Sequence, residues 1–87
     1  MRIKRIAVTG GAGHIAYSLL FRIASGELFG QTTPIALHIL EVPQAFDALQ
    51  GILMELEDCS FSLLREIKVG TDPREIFGDV DLAILIG

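Results

Sequence analysis

The sequence is short of cysteine, tryptophan and basic residues. Its 87 residues hold one cysteine, Cys59, no tryptophan and one tyrosine. A single thiol excludes an internal disulfide and fits a reducing compartment. Only two histidines are present, His14 and His38, distant from each other and from Cys59, so no metal-ligand spacing exists. Seven Lys and Arg against 11 Asp and Glu give a net charge of −4. That balance excludes the basic patch on which nucleic-acid binding rests. Long apolar runs are missing too. Arg2 and Lys4 precede an apolar run that breaks at Thr9-Gly10, too short for a signal peptide or a membrane span. The expectation is a soluble, cytoplasmic protein without membrane or nucleic-acid partners.

What is present is apolar. Hydrophobic residues make up 51% of the chain, and mean hydropathy is +0.52. So small a domain needs a polar exterior to stand alone. This composition suits the central slice of something larger. Ile3 to Thr9 is β-branched and ends in glycines, which predicts a strand. Ile15, Ala16, Leu19, Leu20, Ile23 and Ala24 follow helical spacing as one face, and Gly26 is a natural stop. Glu27 to Thr33 reads as a loop. Ile35 to Leu40 is apolar on both faces apart from His38, as in a covered parallel sheet.

A second helix is predicted over Gln44 to Asp58, with Ala45, Leu49, Ile52, Leu56 and Cys59 as one stripe. Phe46, Leu53 and Met54 widen that stripe beyond the needs of one sheet, and Gly51 opens a place for another helix to approach. Cys59 is expected as a small buried hydrophobe. Glu55, Glu57 and Asp58 are expected on a solvated face, and Tyr17 and Phe21 in the core or an interface. Glu66 to Thr71 predicts a third strand. Asp72-Pro73-Arg74-Glu75 is a helix start, with Asp72 as cap and Glu75 placed for a capping box, and Gly78 ends that short helix. Leu82 to Ile86 is a fourth strand. The alternation β-α-β-α-β-α-β predicts a parallel, doubly wound α/β sheet of the Rossmann type, first four strands only. The last strand is wholly apolar and nothing follows it, so the expectation is a truncated chain, residues 1–87 being the N-terminal part of a dinucleotide-binding domain.

The turn between the first strand and first helix carries the chemistry. Gly11-x-Gly13-x-x-Ala16 fits the dinucleotide pattern G-x-G-x-x-G/A, and Gly10-x-x-Gly13-x-x-Ala16 fits a variant with one more residue. Glycines keep the turn tight and let the backbone reach a pyrophosphate; the small Ala16 lets helix and sheet pack closely. The free N–H groups of the helix start face the anion. The bland alternative is a plain strand–helix turn. Glu41 ends the second strand, where a carboxylate accepts hydrogen bonds from the adenosine ribose and repels a 2′-phosphate. The gap from the glycines exceeds the usual run of about 20 residues, and the loop Glu27 to Thr33 accounts for it. No Lys or Arg lies between Arg22 and Arg65, which favours NAD over NADP. The alternative for Glu41 is a helix-start carboxylate. His14 matters through its backbone N–H; His38 reads as a packed or hydrogen-bonded histidine.

The segments VTGGAGHIAYSLLFRIASGELFG, LEVP, ALQGILMELEDCSFSLL and DVDLAILIG resemble the N-terminal part of malate dehydrogenases of the cytosolic type. The resemblance covers essentially the whole chain, and GILMELEDC makes it specific. It implies an NAD-dependent dimeric enzyme that moves a hydride between malate and NAD, giving oxaloacetate. It implies a nucleotide loop at Gly10, Gly11, Ala12, Gly13, His14, Ile15 and Ala16, with phosphate-facing backbone at His14 and Ile15. It also implies a ribose acid at Glu41, a nicotinamide-side strand end at Gly87, and a dimer helix over 44–58. His14 stands where that family commonly has glutamine, and Glu41 where it has aspartate. The family's catalytic residues match nothing in this chain, so the cradle alone is expected here and no catalysis. Two rivals remain at this stage. TGGAG also resembles extended short-chain dehydrogenases and epimerases, though Ala16, the long loop and GILMELEDC speak against them. A nucleotide-binding module without chemistry fits the same residues.

Overall fold

The protein is described by a computed structural model over residues 2–10 and 13–86. The strands are β1 (Lys4–Thr9), β2 (Ile35–Leu40), β3 (Leu64–Gly70) and β4 (Leu82–Ile84). The helices are α1 (His14–Ala24), α2 (Phe46–Asp58) and α3 (Pro73–Phe77), and a 3-10 turn over Pro43–Ala45 leads into α2. The four strands form one parallel sheet in the order β3-β2-β1-β4. The order reverses between β1 and β4, which makes that seam the topological switch point of a doubly wound sheet.

Side-chain alternation splits the sheet into two unlike faces. Ile6 and Val8 of β1 stand beside Leu37 and Ile39 of β2 in register. They join Leu20 and Ile23 of α1 and Leu49, Ile52 and Leu56 of α2 in one core. Burying each such side chain contributes about 1.5–3 kcal/mol. The opposite face holds Ala7, Ala36 and His38, with Ile76 of α3 fully buried there. Small alanines let the five-residue α3 lie close to the strands. His38 is a packed histidine, as expected. Its Nδ1 donates to the Ile76 carbonyl at 3.0 Å, and its Nε2 faces Arg5 Nη1 at 3.4 Å. Arg5 Nη1 also reaches Glu66 Oε1 at 3.3 Å.

Several sequence expectations shift. Ile15 is 72% exposed, because the buried track of α1 runs through Ala16, Leu20, Ile23 and Ala24, one step around the helix. Cys59 is exposed, since α2 ends at Asp58 and the chain turns through Ser60 at φ +52° before the stripe repeats. Gly78 does end α3, as expected, with an ordinary φ of −64°, and Asp79 at φ +63° makes the left-handed turn that follows. Asp72 caps α3 by accepting from the Arg74 N–H at 3.0 Å. β3 begins at Leu64, earlier than its charged residues suggested, with a register irregularity between Ile35 and Ala36. β4 ends at Ile84, not Ile86, and lies at the sheet edge with Leu82 partly exposed. Its pairing with β1 stops at Val8↔Ile84 because β1 turns away two residues later. The outer aromatic pair on α1 is half expected. Phe21 packs against the core, whereas Tyr17 is exposed and its hydroxyl donates to Glu55 Oε2 at 2.6 Å. That bond holds the phenol proton and raises the Tyr17 pKa.

Candidate functional site

Parallel strands present their C-terminal ends together, and here those ends build a cleft. Thr9 and Gly10 after β1, Gly13 before α1, Leu40 and Glu41 after β2, Thr71 after β3 and Ile86 after β4 line a space of about 430 Å³. Gly10 adopts φ +69°, which turns the chain sharply off the sheet. Its N–H still donates to the Leu40 carbonyl at 3.0 Å, and its carbonyl accepts from the Gly13 N–H at 3.1 Å. Gly11 and Ala12 lie outside the described residues, as does Gly87.

Gly13 is the cap of α1, with an ordinary extended backbone at φ −80° and ψ 163°. A Cβ placed there would meet the Gly10 carbonyl at 3.5 Å, an ordinary contact. Nothing among the described residues therefore demands glycine at 13. The helix start is also bare. Ser, Thr, Asp or Asn usually caps such a position, yet α1 has no side-chain cap and no acid in its first turn. The amides of His14, Ile15 and Ala16 have no carbonyl one turn back within α1, and among the described residues no acidic side chain in the first turn offsets the positive end of the helix dipole. Ala16 is fully buried, which is the close helix–sheet packing that the small residue was expected to provide. His14 and Ile15 are exposed at this end of the helix.

Glu41 is half-buried. Its N–H donates to the Gly70 carbonyl at 3.1 Å, carrying the β2–β3 ladder one residue further. Its Oε1 accepts from the Val42 N–H at 2.9 Å. The carboxylate thus has a local helix-start contact and lies on the cleft as well. The helix-start reading of Glu41 is the one this hydrogen bond bears out. Gly13 at the start of α1 and Glu41 at the end of β2 border one cleft. A pyrophosphate-bearing nucleotide fits this donor set: bare amides for the phosphates, a carboxylate for hydroxyls.

The sequence reading missed Thr9, Thr71 and Ile86 as cleft residues. A hydroxyl residue as the last position before a glycine turn was the available signal for Thr9.

Residues 4–87 match the family described as the lactate/malate dehydrogenase NAD-binding domain. A malate dehydrogenase of Protochlamydia amoebophila (strain UWE25) is 60% identical over 83 residues, 95% of this chain and 25% of that protein. The crystal structure of malate dehydrogenase from Naegleria fowleri superposes with a TM-score of 0.96 at 46% identity, covering 100% of this chain and 27% of that one. Trichomonas vaginalis lactate dehydrogenase in complex with NADH and oxamate superposes with a TM-score of 0.91 at 42% identity, covering 97% of this chain and 25% of that one. The chain thus spans about a quarter of the length of the relatives it matches. A cleft at the switch point, a bare helix start behind glycines and a family match across almost every residue agree: the chain belongs to the NAD-binding domain family of the lactate/malate dehydrogenases.

Proposed function

We propose that this chain is the NAD cradle of a malate dehydrogenase, residues 1–87 forming the N-terminal part of its dinucleotide-binding domain. The observation that carries the reading is the meeting of Gly10 and Gly13, which lead into the uncapped start of α1, with Glu41 on one cleft. The turn Gly10–Ala16 holds the pyrophosphate, with the His14 and Ile15 amides donating to it. Glu41 accepts from the adenosine ribose and disfavours a 2′-phosphate. Gly87 serves the nicotinamide side in this reading. NAD, when bound, supplies hydride acceptance; this chain's part is to bind and orient it.

Malate and oxaloacetate as substrates, assembly as a homodimer through the 44–58 helix and a cytoplasmic location belong to the same proposal. Moving a hydride from a hydroxyl carbon also needs a base for the hydroxyl proton and cations for two carboxylates. Neither His14 nor His38 serves: His14 sits on the phosphate side, and His38 is committed to Ile76 and Arg5 on the α3 face. The 87 residues alone are expected to give no malate-dependent NADH, and turnover above a heat-killed control would overturn that.

The binding test uses the protein that carries this chain at its native length. NAD is expected to bind more tightly than NADP. Glu41→Ala is expected to weaken NAD by about tenfold or more, the scale of a lost charge-assisted hydrogen bond, and to narrow the gap to NADP. Equal binding of the two nucleotides by the unmodified protein sinks the role given to Glu41.

A further inference from the structure

We propose that Thr9 is a positioning residue for the dinucleotide, because its hydroxyl carries the end of β4 as a wall of the cleft. The inference rests on the cradle reading above and adds a residue to it.

The backbone ladder between β1 and β4 stops at Val8↔Ile84. Beyond it Gly10 turns off the sheet at φ +69° and gives its N–H to Leu40 of β2. Among the described residues, Ile86 makes no backbone–backbone bond to β1. Both polar groups of the Ile86 peptide unit's residue turn instead to one atom. The Ile86 N–H donates to Thr9 Oγ1 at 2.7 Å, and Thr9 Oγ1 donates to the Ile86 carbonyl at 3.0 Å. A hydroxyl can do both, since it carries one donor and two acceptor lone pairs. A β-branched residue also suits the strand position. Threonine therefore ties the chain after β4 to β1 with one side chain, just past the end of the ladder and on the cleft.

The location gives the clip a specific consequence. Thr9 and Ile86 both line the cleft with Gly10, Gly13 and Glu41. They lie at the β1–β4 seam, where the strand order reverses and where a dinucleotide crosses from one half of such a fold to the other. Glu41 lies on the β2 side of that seam. A shift of the β4 end is felt by a ligand that spans the seam and spared by one confined to the adenosine side.

The test compares Thr9→Val, which keeps the shape and removes both hydrogen bonds, with Thr9→Ser, which keeps the hydroxyl. Affinities for NADH and for AMP are titrated in the protein at its native length, alongside Glu41→Ala. Thr9→Val is expected to weaken NADH by about tenfold, the scale of two lost hydrogen bonds of ordinary net worth, and AMP by less than about twofold. Thr9→Ser is expected to restore NADH binding, and the Ile86 amide is expected to exchange faster in Thr9→Val alone. Unchanged NADH affinity in Thr9→Val, an equal loss for AMP, or no rescue by serine overturns the proposal. If Thr9→Val behaves in one of those ways while Glu41→Ala weakens both ligands, only the Thr9 role falls. If Glu41→Ala binds both as the unmodified protein does, the cradle reading falls and the Thr9 role with it.

Discussion

Gly26 closes α1 at φ +97°, and a Cβ there would lie 2.8 Å from Leu63 Cδ1, 2.9 Å from Gln31 Nε2 and 3.1 Å from the Gly30 carbonyl. The first two are ends of side chains that can swing away; the carbonyl is backbone and cannot. Positive φ adds strain that no rearrangement removes. Gly26→Ala is therefore expected to destabilise the domain by about 1–3 kcal/mol, read as a lower denaturation midpoint with an unchanged slope. Residues of this kind were legible in the sequence because a glycine after an amphipathic run has one common use. Cys59 was not. Its place in the stripe Leu49, Ile52, Leu56 looked like core, but α2 stops one residue before it and leaves the thiol exposed. Periodicity continues in a sequence after the helix that justified it has ended. Thr9 escaped for the opposite reason: a threonine in a strand is ordinary, and only its place just before the glycine turn marks the hydroxyl.

β4 is an element held by its two ends. It has three residues, too few for strand pairing to fix it firmly. At its C-terminal side Thr9 holds Ile86, as argued above. At its N-terminal side Asp81 does the equivalent: its N–H donates to the Arg5 carbonyl at 2.7 Å, and its Oδ2 accepts from the Arg5 N–H at 2.9 Å. That backbone hydrogen bond, with the charges of Arg2 and Lys4 beside it, holds the Asp81 carboxyl below the usual aspartate range. The sign follows directly. A depressed folded-state pKa means a contribution present above the unfolded value, about 3.9, and lost as pH falls through the folded value. Asp81→Ala is expected to lower the denaturation midpoint at neutral pH. The gap to the unmodified protein should shrink as pH drops below the ordinary aspartate range. A gap that holds constant into acid removes the carboxylate from the account. Strand order and strand type were legible from the alternation of apolar runs, and β2 was read to its exact bounds of Ile35–Leu40. β4 was overextended because LAILI is uniformly apolar. Composition alone does not say where a partner strand turns away, and here Gly10 decides it.

At the scale of the molecule the sheet is finished on one face and thinly clothed on the other. α1 and α2 cover the Ile6, Leu37 and Ile39 side, and among the described residues α3 is the helix on the side of Ala7, Ala36 and His38. The sequence told of the covered face through helical spacing and of the cleft through glycines and Glu41. For contact with another chain it offered only the widened stripe and Gly51 of α2. α2 supplies the physical argument for the proposed dimer. Gly51 sits in its middle, and among the described residues nothing lies within 4 Å of a Cβ placed there. Met54, one turn along, is 64% exposed. Within a lone α2 this glycine is only a cost, about 1 kcal/mol relative to alanine. Against a second helix it becomes an asset, since a bare backbone admits close approach. The two cases predict opposite outcomes for one substitution. If α2 is the meeting surface, Gly51→Leu is expected to shift the protein toward monomer in sedimentation, with a concentration-dependent loss of thermal stability. If α2 stays solvated, the same change raises stability through helix propensity and leaves the sedimentation coefficient where it was, and the 44–58 helix is then not where two copies meet.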